Sequence, residues 1–476
     1  MMPSSVVKRL LARLQPDDLP VYIVGGAVRD GLLGRPLGDV DLVCRDPAGL
    51  ARHLARSEDT AAVPFLKRPA MPCYRVLDRR HPHHYVDITG IQGGSLHADL
   101  RRRDFTINAM ALPLDRDGNT GDLIDPLDGR TDLATGLVRA TGPGVFKADP
   151  IRILRGVRLA AVLGFTVDGT TRAHMQAASS LTAAAAGERL RVELERILSC
   201  SDAGDHVRLL DDVGVLSALF ADIATMQGCL QNAYHHLDVW THSLAVLDGC
   251  DTLLSDLTAL CGKHKARVDR WLAAGGRHWL LKFAALFHDI GKPAARRRDV
   301  PGGPFHFRGH DRLGSEKIKA VCERLKLAGR ERAFVQALVA EHMNVLFLSR
   351  TEVRPRTLMR WFRRHGEDML AMILLSLADM EATRGPLAKA SARRQHRQWA
   401  ARTISAYYDH LQPRISAQPL INGNDLLDMG LLPGPAVGRI LAAVREAQDE
   451  GWVTDRDQAL ALARRLNEEK NGGTTL

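Results

Sequence analysis

The sequence predicts an α/β module over roughly the first 145 residues, followed by a mostly α-helical remainder. Short β-rich runs alternate with turns and helical patterns in the first part, which is typical of an α/β module around a mixed sheet. From Asp149 onward, apolar residues recur at three- and four-residue spacing, as in helices. The chain is also rich in Ala, Leu and Arg and has only 5% aromatic residues. This composition favours a helical body.

The elements of the α/β module follow from these runs. The predicted strands are Val21–Val24, Asp39–Cys44, Tyr74–Leu77, His84–Ile88 and Leu137–Ala140, and the predicted helices between them are Ala27–Leu33 and Ala48–Ser57. In the second part, Ile151–Gly164 and Arg189–Ser199 have helical periodicity. Residues 301–304 (PGGP) mark a loop, and the charged stretch Ala390–Arg402 predicts an exposed helix or a linker before a last small module at about 418–466. Residues 1–20 predict an amphipathic helix, and residues 471–476 a disordered end.

Composition narrows the class of protein. A chain of 476 residues with 45% hydrophobic and 25% charged residues predicts a globular protein of about two to four domains. The formal net charge of +10 fits a polyanionic partner, nucleic acid first, although a basic solvated surface would give the same balance.

The cysteines and the termini indicate a compartment. The seven cysteines form no CxxC pair, which favours free thiols in a reducing compartment. The N-terminus lacks the apolar core of a signal peptide, and no apolar run approaches the ~20 residues of a membrane span. We therefore expect a cytoplasmic protein with no membrane partner.

A glycine pair and two aspartates follow the first predicted strand. Residues 25–30 read GGAVRD, and Asp39 and Asp41 stand two apart in the next predicted strand, so both carboxylates can point to one face. Converging carboxylates suit the Mg²⁺ ions of two-metal phosphoryl transfer. The glycines allow backbone N–H groups to approach a phosphate, and Arg29 supplies a bidentate cation. This combination predicts nucleotidyl transfer.

A second polar block occupies residues 101–109 (RRRDFTINA). Its arginines, which include Arg103, can hold a triphosphate or an RNA backbone, although an arginine run is more often a solvated face. Asp104 and Asn108 stand four apart, as on one helix face, and can contact a sugar. Residues 125–133 (DPLDGRTDL) then predict a turn-rich segment that leads to a strand ending in Arg139.

A third block begins the helical part. Asp149 is placed to cap a helix with Pro150 at its first position. Arg152 and Arg155 fall on one helical face, and Arg158 continues it. One interpretation is a helix with a basic solvent side. The other is a side-chain template, in which Asp149 and Arg152 pair with a base edge and Arg155 and Arg158 hold phosphate or primer.

Taken in order, the blocks GGAVRD…DVD, RRRDFTINAMA, DPLDGRTDL and DPIRILRGVRLAA resemble the bacterial class II tRNA nucleotidyltransferase and poly(A) polymerase family over residues 21–165. The resemblance implies a polymerase-β-like nucleotidyltransferase head on a helical neck and body. It implies transfer of CMP or AMP from CTP or ATP to the 3′ end of tRNA. Asp39 and Asp41 would be catalytic and hold Mg²⁺, and Asp87 is a further carboxylate with either a site or a structural role. The implied nucleotide-binding residues are Gly26, Arg29, Arg103, Asp104, Asn108, Asp149, Arg152, Arg155 and Arg158.

Two positions depart from the family pattern. Ala148 stands where the family usually has Glu before Asp149, and only the short connection 89–99 separates Asp87 from the arginine run. CCA-adding members have a longer loop there, and a short one is more like CC-adding enzymes or poly(A) polymerases. The product therefore stays open among full CCA, CC only, A only and poly(A).

A second constellation lies in the helical half. His288 and Asp289 end an apolar helix, with His242 upstream and Asp379 downstream, and His310 and His342 would supply a second metal. Imidazoles and carboxylates suit a divalent transition metal. The order resembles the HD phosphohydrolase domain over about 235–385, which implies metal-activated water and, as in some relatives, 2′,3′-cyclic phosphodiesterase, 2′-nucleotidase and phosphatase activities. The alternative is a structural remnant that extends an RNA-binding body.

These blocks predict four domains: a head at 1–145, a helical neck that binds RNA and NTP at 146–230, an HD domain at 231–390 and a helical tail at 391–476. The predicted partners are tRNA, ATP and CTP. Two other classes compete, an HD phosphohydrolase with a head that only binds nucleotide and a non-catalytic RNA-binding protein. The sequence does not indicate an oligomeric state.

Overall fold

The computed structural model describes residues 20–36, 40–56, 59–68, 71–81, 85–115, 119–350, 353 and 355–471. Asp39, the predicted N-terminal helix and residues 472–476 lie outside these ranges. The chain divides into two compact units, Met1–Ala221 and Asp222–Leu476. The four predicted domain boundaries remain predictions.

The first unit is built on a six-stranded mixed sheet. Its strands are β1 (Val21–Val24), β2 (Val40–Cys44), β3 (Thr60–Arg68), β4 (Met71–Asp78), β5 (Tyr85–Gly90) and β6 (Ala111–Leu114), in the order β3-β4-β5-β2-β1-β6. β2 and β5 are parallel, and the other neighbours are antiparallel. The predicted α/β fold with a mixed sheet is confirmed. β2 lies near the middle, so Asp41 is held by a pairing on each side.

Two strands of this sheet, β3 and β6, were not predicted from the sequence. Each contains a proline, Pro64 in β3 and Pro113 in β6, and each lies at an edge of the sheet. Proline cannot donate to a central ladder but is tolerated at an edge. A proline within an apolar run weakens the prediction of a strand. Whether a strand lies at the edge of a sheet depends on the tertiary structure, so the sequence alone did not show that proline is tolerated here.

Helices complete the first unit. They are α1 (Gly26–Leu32), α2 (Pro47–Leu54), α3 (Leu96–Arg101), α4 (Gly129–Ala134), α5 (Val145–Ala148), α6 (Ile151–Leu163), α7 (Gly169–Ala178), α8 (Gly187–Leu198), α9 (Ala203–Asp212) and α10 (Val215–Leu219). The segment predicted as turn-rich, 125–133, instead leads into α4. The Asp125 carboxylate accepts hydrogen bonds from the backbone N–H groups of Gly129 and Arg130, both at 2.8 Å, and so supports the first turn of α4. The predicted strand at Leu137–Ala140 is shorter, β7 (Leu137–Val138), and pairs with β8 (Thr166–Val167).

Gly156 in α6 allows close packing between the sheet module and the neck helices. A Cβ at this position would lie 2.6 Å from the end of Met175 and 2.7 Å from the buried ring of Phe105. We expect Gly156→Ala to lower the free energy of unfolding by about 1–3 kcal/mol, because extra carbon in a packed core forces strain. Thermal unfolding measures the effect. Gly169→Ala is the matched control, since nothing lies within 4 Å of the added Cβ; equal melting temperatures for both variants would contradict the packing argument.

The second unit is helical in its described residues. Its helices are α11 (Ala221–Met226), α12 (Val239–Ser255), α13 (Thr258–Cys261), α14 (Lys265–Ala273), α15 (Arg277–Phe287), α16 (Lys292–Ala295), α17 (His310–Arg324), α18 (Gly329–Arg350), α19 (Pro355–His365), α20 (Met369–Ala382), α21 (Ala390–Ala406), α22 (Gln412–Ser416), α23 (Gly423–Asp428), α24 (Pro435–Glu450) and α25 (Arg456–Asn471). α20 is buried on nearly every face. A helix that is apolar all round belongs in a core, and α20 therefore carries Asp379 into the interior.

The structure also bears on the cysteines and on the possibility of a membrane-spanning helix. All seven cysteines are free, as predicted. Among the described residues, no helix combines the length and apolar character needed to cross a bilayer.

Candidate active sites

The glycine turn after β1 lies against the predicted metal-binding strand. Gly25 has φ +74°, in the left-handed region that favours glycine, and a Cβ there would lie 3.1 Å from Arg103 Nη1 and 3.5 Å from Asp41 Oδ2. Asp41 is exposed on β2 and pairs in register with Val24 of β1. The turn therefore brings Gly25, Asp41 and Arg103 together. Asp39 lies outside the described residues, so the paired-carboxylate geometry stays a prediction.

Asp87 stands beside Asp41, in parallel register on β5. Its side chain is already engaged, because Arg75 donates from Nε to Oδ1 at 2.8 Å and from Nη2 to Oδ2 at 2.9 Å. Asp87 is only 7% exposed. This bidentate ion pair favours the structural one of its two predicted roles.

A hydrogen-bonded chain joins three predicted nucleotide-binding residues. Arg29 Nη1 donates to Asn108 Oδ1 at 2.7 Å, and Asn108 Nδ2 donates to Asp104 Oδ1 at 3.2 Å. The other edge of the Arg29 guanidinium is held by both oxygens of Asp30. The prediction that Asp104 and Asn108 share one helix face is wrong, since α3 ends at Arg101 and only Thr106–Asn108 forms a single 3₁₀ turn. The two side chains meet nonetheless.

The charge of Asp104 is stabilised inside the protein. Burial alone would raise the pKa of this carboxyl group, but the guanidinium of Arg155 and hydrogen bonds from Asn108 and the Phe105 backbone hold the pKa below its ordinary value. Arg155 Nε lies 2.8 Å from Asp104 Oδ2, while the Arg155 side chain stays 47% exposed. Arg103 is likewise engaged on one side, with Nη2 donating to Asp99 at 3.2 Å. Both guanidiniums therefore have fixed positions at the cavity wall.

The predicted base reader, Asp149, is held from a different helix. Arg189 of α8 donates to both of its oxygens, at 3.1 and 2.7 Å. The prediction that Asp149 caps a helix is wrong for its side chain, because α6 begins at Ile151 after Pro150 and has no side-chain cap. Ala148, the last residue of α5, has no polar side chain to place beside Asp149.

The three arginines of α6 do not share one environment. Arg152 and Arg155 line the cavity. Arg158 is only 12% exposed in its side chain, and its Nε donates to Glu193 at 2.6 Å. The structure thus separates Arg158 from the other two, and its proposed contact with phosphate or primer stays a prediction.

One cavity of about 700 Å³ lies among these side chains in the first unit, and Arg29, Asp87 and Arg158 are not among its lining residues. The predicted residues that line it are Gly26, Asp41, Arg103, Asp104, Asn108, Asp149, Arg152 and Arg155. Four lining residues of α8 were not singled out from the sequence: Glu188, Arg189, Val192 and Glu193. The signal available was the charged face of the predicted helix Arg189–Ser199, which reads as an ordinary solvated face until the tertiary contact with Asp149 is known.

In the second unit, all six predicted metal-binding residues converge. Asp289 is shared by two groups that could hold a metal ion, His242–His288–Asp289 and Asp289–His310–His342. Asp289 Oδ2 lies 3.1 Å from His288 Nε2, and Asp289 Oδ1 lies 3.3 Å from His310 Nε2. Asp379 Oδ1 lies 3.0 Å from His242 Nε2 and 4.0 Å from His288 Nε2. The carboxylates thus stand between imidazoles from separate helices.

The tautomers of three histidines point their Nε2 lone pairs inward. Nδ1 of His288, His310 and His342 lies 2.8, 2.7 and 2.7 Å from the backbone carbonyls of Ala285, Phe307 and Val339. A carbonyl only accepts, so each Nδ1 carries the proton and donates it. His310 Nε2 and His342 Nε2 then face each other at 3.1 Å as two acceptors. A bound cation satisfies such an arrangement, as in metal sites where the second ring nitrogen is anchored by a carbonyl.

Burial sets the charge of these ligands. It lowers the pKa of His242 and His342, which keeps both imidazoles neutral as metal binding requires. For His288, burial is outweighed by Asp289 and Asp379, and the pKa is raised. Burial alone would raise the pKa of Asp289, but His288 and Lys292 hold it well below its ordinary value. A divalent cation fits this donor set of imidazoles and ionised carboxylates, because metal binding displaces the proton from an imidazole that carries one.

Several neighbours of the metal groups were not singled out from the sequence. Lys292 Nζ lies 2.6 Å from Asp289 Oδ2 and donates to Gln231 Oε1 at 2.6 Å. The ring of His235 packs edge-on against His242, with 4.7 Å between centroids. The sequence signal for Lys292 was its position three residues after Asp289. For His235 only its place upstream of His242 was available.

Four of the six candidate ligands, Asp289, His310, His342 and Asp379, line a cavity of about 460 Å³. Its other lining residues include cations such as Lys292, Arg308 and Arg350, the carboxylate Asp311, and apolar side chains such as Leu346 and Met380. Cations beside candidate metal ligands suit a phosphate ester, which carries negative charge.

Three family models match successive parts of the chain. Residues 21–139 match the Poly A polymerase head domain, residues 164–226 the probable RNA and SrmB-binding site of polymerase A, and residues 239–379 the HD domain.

Relatives of known activity match over nearly the whole chain. An A-adding tRNA nucleotidyltransferase of Deinococcus radiodurans is 34% identical and is matched over 94% of this chain and 96% of its own length. A CC-adding tRNA nucleotidyltransferase of Thermus thermophilus is 32% identical over 94% of each chain. The fold resembles that of a CCA-adding enzyme solved with CTP, with a TM-score of 0.64, 20% identity and coverage of 97% of this chain and 98% of that one. The chain therefore belongs to the tRNA nucleotidyltransferase family with a poly(A) polymerase head, and it carries an HD domain.

Proposed function

We propose that this protein adds CMP, AMP or both, from CTP and ATP, to the 3′ end of tRNA. The observation that carries the proposal is the cavity in which Asp41, the glycine turn and the arginines at 103, 152 and 155 converge. The named activities of the two relatives and the CTP bound to the structural neighbour support the same chemistry.

Different side chains of the cavity have different roles in nucleotidyl transfer. Asp41, with Asp39 two residues before it, offers the carboxylate oxygens that Mg²⁺ prefers, and Asp41 is exposed enough to bind. Bound Mg²⁺ would neutralise triphosphate charge and lower the pKa of the RNA 3′-OH. Arg103 lines the cavity where it can pair with the triphosphate, and Gly25 leaves room for a close approach of the phosphates. Arg29 is bound to Asp30 and Asn108 and does not line the cavity, so its contact with the nucleotide stays a prediction. The 3′-oxygen then attacks the α-phosphorus in line, and pyrophosphate leaves.

Asp149 and Arg152 are the proposed base readers. Cytosine and adenine both present an amino donor beside a ring-nitrogen acceptor, which matches one carboxylate and one guanidinium. A carboxylate has about four acceptor positions, so Asp149 can accept from a base while Arg189 stays bound. Arg189 thus fixes the orientation of the Asp149 carboxylate.

We expect Asp149→Ala to lower discrimination for CTP over UTP by about 5- to 150-fold, the value of one lost base-edge pairing. The measurement is kcat/KM for single-nucleotide addition with each NTP. Asp122→Ala is the control, because Asp122 is an exposed carboxylate outside the cavity lining. An unchanged ratio in Asp149→Ala would show that this carboxylate does not read the base.

The product is tested by extending tRNA primers that lack CCA, CA or A, with CTP and ATP offered separately and together. Stepwise completion and a stop at CCA would establish a full CCA-adding enzyme despite Ala148 and the short connection 89–99. Arrest after CC, addition of only the last A, or an unbounded A tail would each identify a specialised enzyme. No incorporation into any primer would overturn the proposal.

We propose a second activity, hydrolysis of phosphoesters by the HD domain, on the convergence of the six buried ligand candidates. His242, His288, Asp289 and Asp379 would hold one divalent transition metal, and Asp289, His310 and His342 a second. When bound, such an ion would supply a water of lowered pKa. Lys292 lies where it can neutralise the ester's negative charge. Hydrolysis of phosphomonoesters and 2′,3′-cyclic nucleotides, assayed with Mn²⁺, Ni²⁺, Co²⁺ or Zn²⁺ added singly, tests the proposal.

A further inference from the structure

A second cavity of about 330 Å³ adjoins the metal cavity of the HD domain. Arg350, at the end of α18, and Met380, next to Asp379 on α20, line both cavities. The other side of the smaller cavity is formed by α21, through Gln395, His396, Trp399 and Arg402. The two cavities therefore share part of their walls.

The cavity offers an aromatic face with a fixed orientation. The ring of His396 lies parallel to Trp399, with an interplanar angle of 8° and 5.8 Å between centroids. His396 is 2% exposed and is anchored by Ser376 Oγ at 2.9 Å from its Nε2. Trp399 itself is half-buried, so part of its indole remains available. Stacking on such a ring suits any base, because every base has a π-face.

The same cavity offers polar groups with unmet hydrogen-bonding capacity. Among the described residues, neither Arg350 nor Arg402 forms an ion pair, although both are exposed at the cavity. His396 Nδ1 is buried without a hydrogen-bond partner. Two guanidiniums and the Gln395 amide provide donors for phosphate and for a base edge. An aromatic platform flanked by arginines is how single-stranded nucleic acid is held without sequence preference.

We propose that this cavity is a nucleotide subsite, which seats the base of an RNA terminus on Trp399 while the terminal phosphate reaches the metal groups. The delivery of a phosphate for hydrolysis rests on the proposed hydrolytic function, whereas the binding of a nucleotide does not. The volume of 330 Å³ lies at the lower end of small-ligand cavities, about 300–1,000 Å³, and suits one nucleotide. Arg350 lines both cavities, so it lies where it can contact a phosphate held between the base subsite and the candidate metal ligands.

The first test separates base binding from hydrolysis. Two substrates are compared on the full-length metal-loaded protein: 2′,3′-cyclic CMP and the base-free glycerol 1,2-cyclic phosphate. We expect Trp399→Ala to raise KM for cyclic CMP by about 5- to 150-fold, the range of one lost base–aromatic stack, with kcat unchanged. KM for the base-free diester should change less than twofold. Trp399→Phe should restore most of the affinity, because it keeps a ring.

Two matched variants control for surface changes. Trp452→Ala removes an indole that is 80% exposed and lies outside this cavity, and it should leave both KM values unchanged. Arg402→Ala should raise KM for cyclic CMP, whereas Arg394→Ala, an exposed arginine of the same helix outside the lining, should not. Equal effects of Trp399→Ala on both substrates, or no effect on either, would overturn the subsite.

The second test does not need catalysis. A short oligoribonucleotide with a 3′-terminal 4-thiouridine is photo-crosslinked to the protein, and the modified peptides are mapped. Crosslinks in α21 or at the end of α18, lost in Trp399→Ala, support the subsite even if no phosphoester is hydrolysed. Crosslinks confined to residues of the first unit would overturn it. If neither diester is hydrolysed by the wild-type protein, the hydrolase proposal fails and the crosslinking result alone decides the subsite.

Discussion

Asp41→Asn is expected to lower the rate of CMP and AMP incorporation into tRNA by at least about a thousandfold. Removing a group that only orients a metal ligand costs about 10–100-fold, so removal of the ligand charge itself should cost more. Asp41 lies on a strand paired on both sides, and asparagine has nearly the same shape. The loss should therefore be chemical and not conformational.

Single-turnover extension of a tRNA primer that lacks CCA measures the effect of Asp41→Asn. The exposed carboxylate Asp122, changed to Asn, provides the matched control and should retain full incorporation. Hydrolysis of cyclic nucleotides by Asp41→Asn should equal that of the unaltered protein. Incorporation that survives in Asp41→Asn would mean that the assignment of the first cavity is wrong.

Asp289→Asn is expected to abolish metal binding at the HD domain and to lower phosphoester hydrolysis by at least about a thousandfold, on the same reasoning. Asp289 is the one residue common to both candidate metal groups among the described residues. Loss of this carboxylate should therefore remove the metal ion from both groups. Metal content after dialysis, measured by mass spectrometry, and hydrolysis rates report the two effects separately.

The Asp289→Asn variant also leaves Lys292 without its carboxylate partner, so thermal unfolding must accompany the assay. Incorporation of nucleotides by the head provides an internal measure of folding and should be unchanged. Asp269→Asn, at a half-exposed carboxylate paired with Lys265 on α14, is the control. Bound metal and hydrolysis at ordinary levels in Asp289→Asn would contradict the proposed metal centre.

The fold was largely predictable because its elements rest on local patterns. The core strands β1, β2, β4 and β5 and the helices α6 and α8 all overlap predicted segments. The strands that were missed, β3 and β6, are edge strands with a proline in each. Their strand state depends on a partner that lies elsewhere in the sequence, and no local window contains that information.

The types of residue in the candidate sites and their order along the chain were predictable, but the ion pairs between those residues and their neighbours were not. The glycine turn, Asp41 and the six candidate HD ligands were predicted because phosphoryl transfer and metal binding demand particular side chains at particular spacings. The sequence did not indicate that Asp149 is held by Arg189, forty residues away, or that Arg158 is buried against Glu193. It likewise left both roles of Asp87 open until the ion pair with Arg75 favoured one.

The sequence by itself therefore determined the family and the order of the head and the HD domain, and it predicted the chemistry of both sites, because these depend on motifs that are local in the chain. Only the tertiary structure decided which charged groups are engaged and which remain available. It placed Asp289 in both candidate metal-binding groups and Trp399 in the wall of the neighbouring cavity. The reason is physical: an ion pair or a cavity wall forms between side chains that are close in space, and those distances are set by the packing of helices and strands that are remote in sequence.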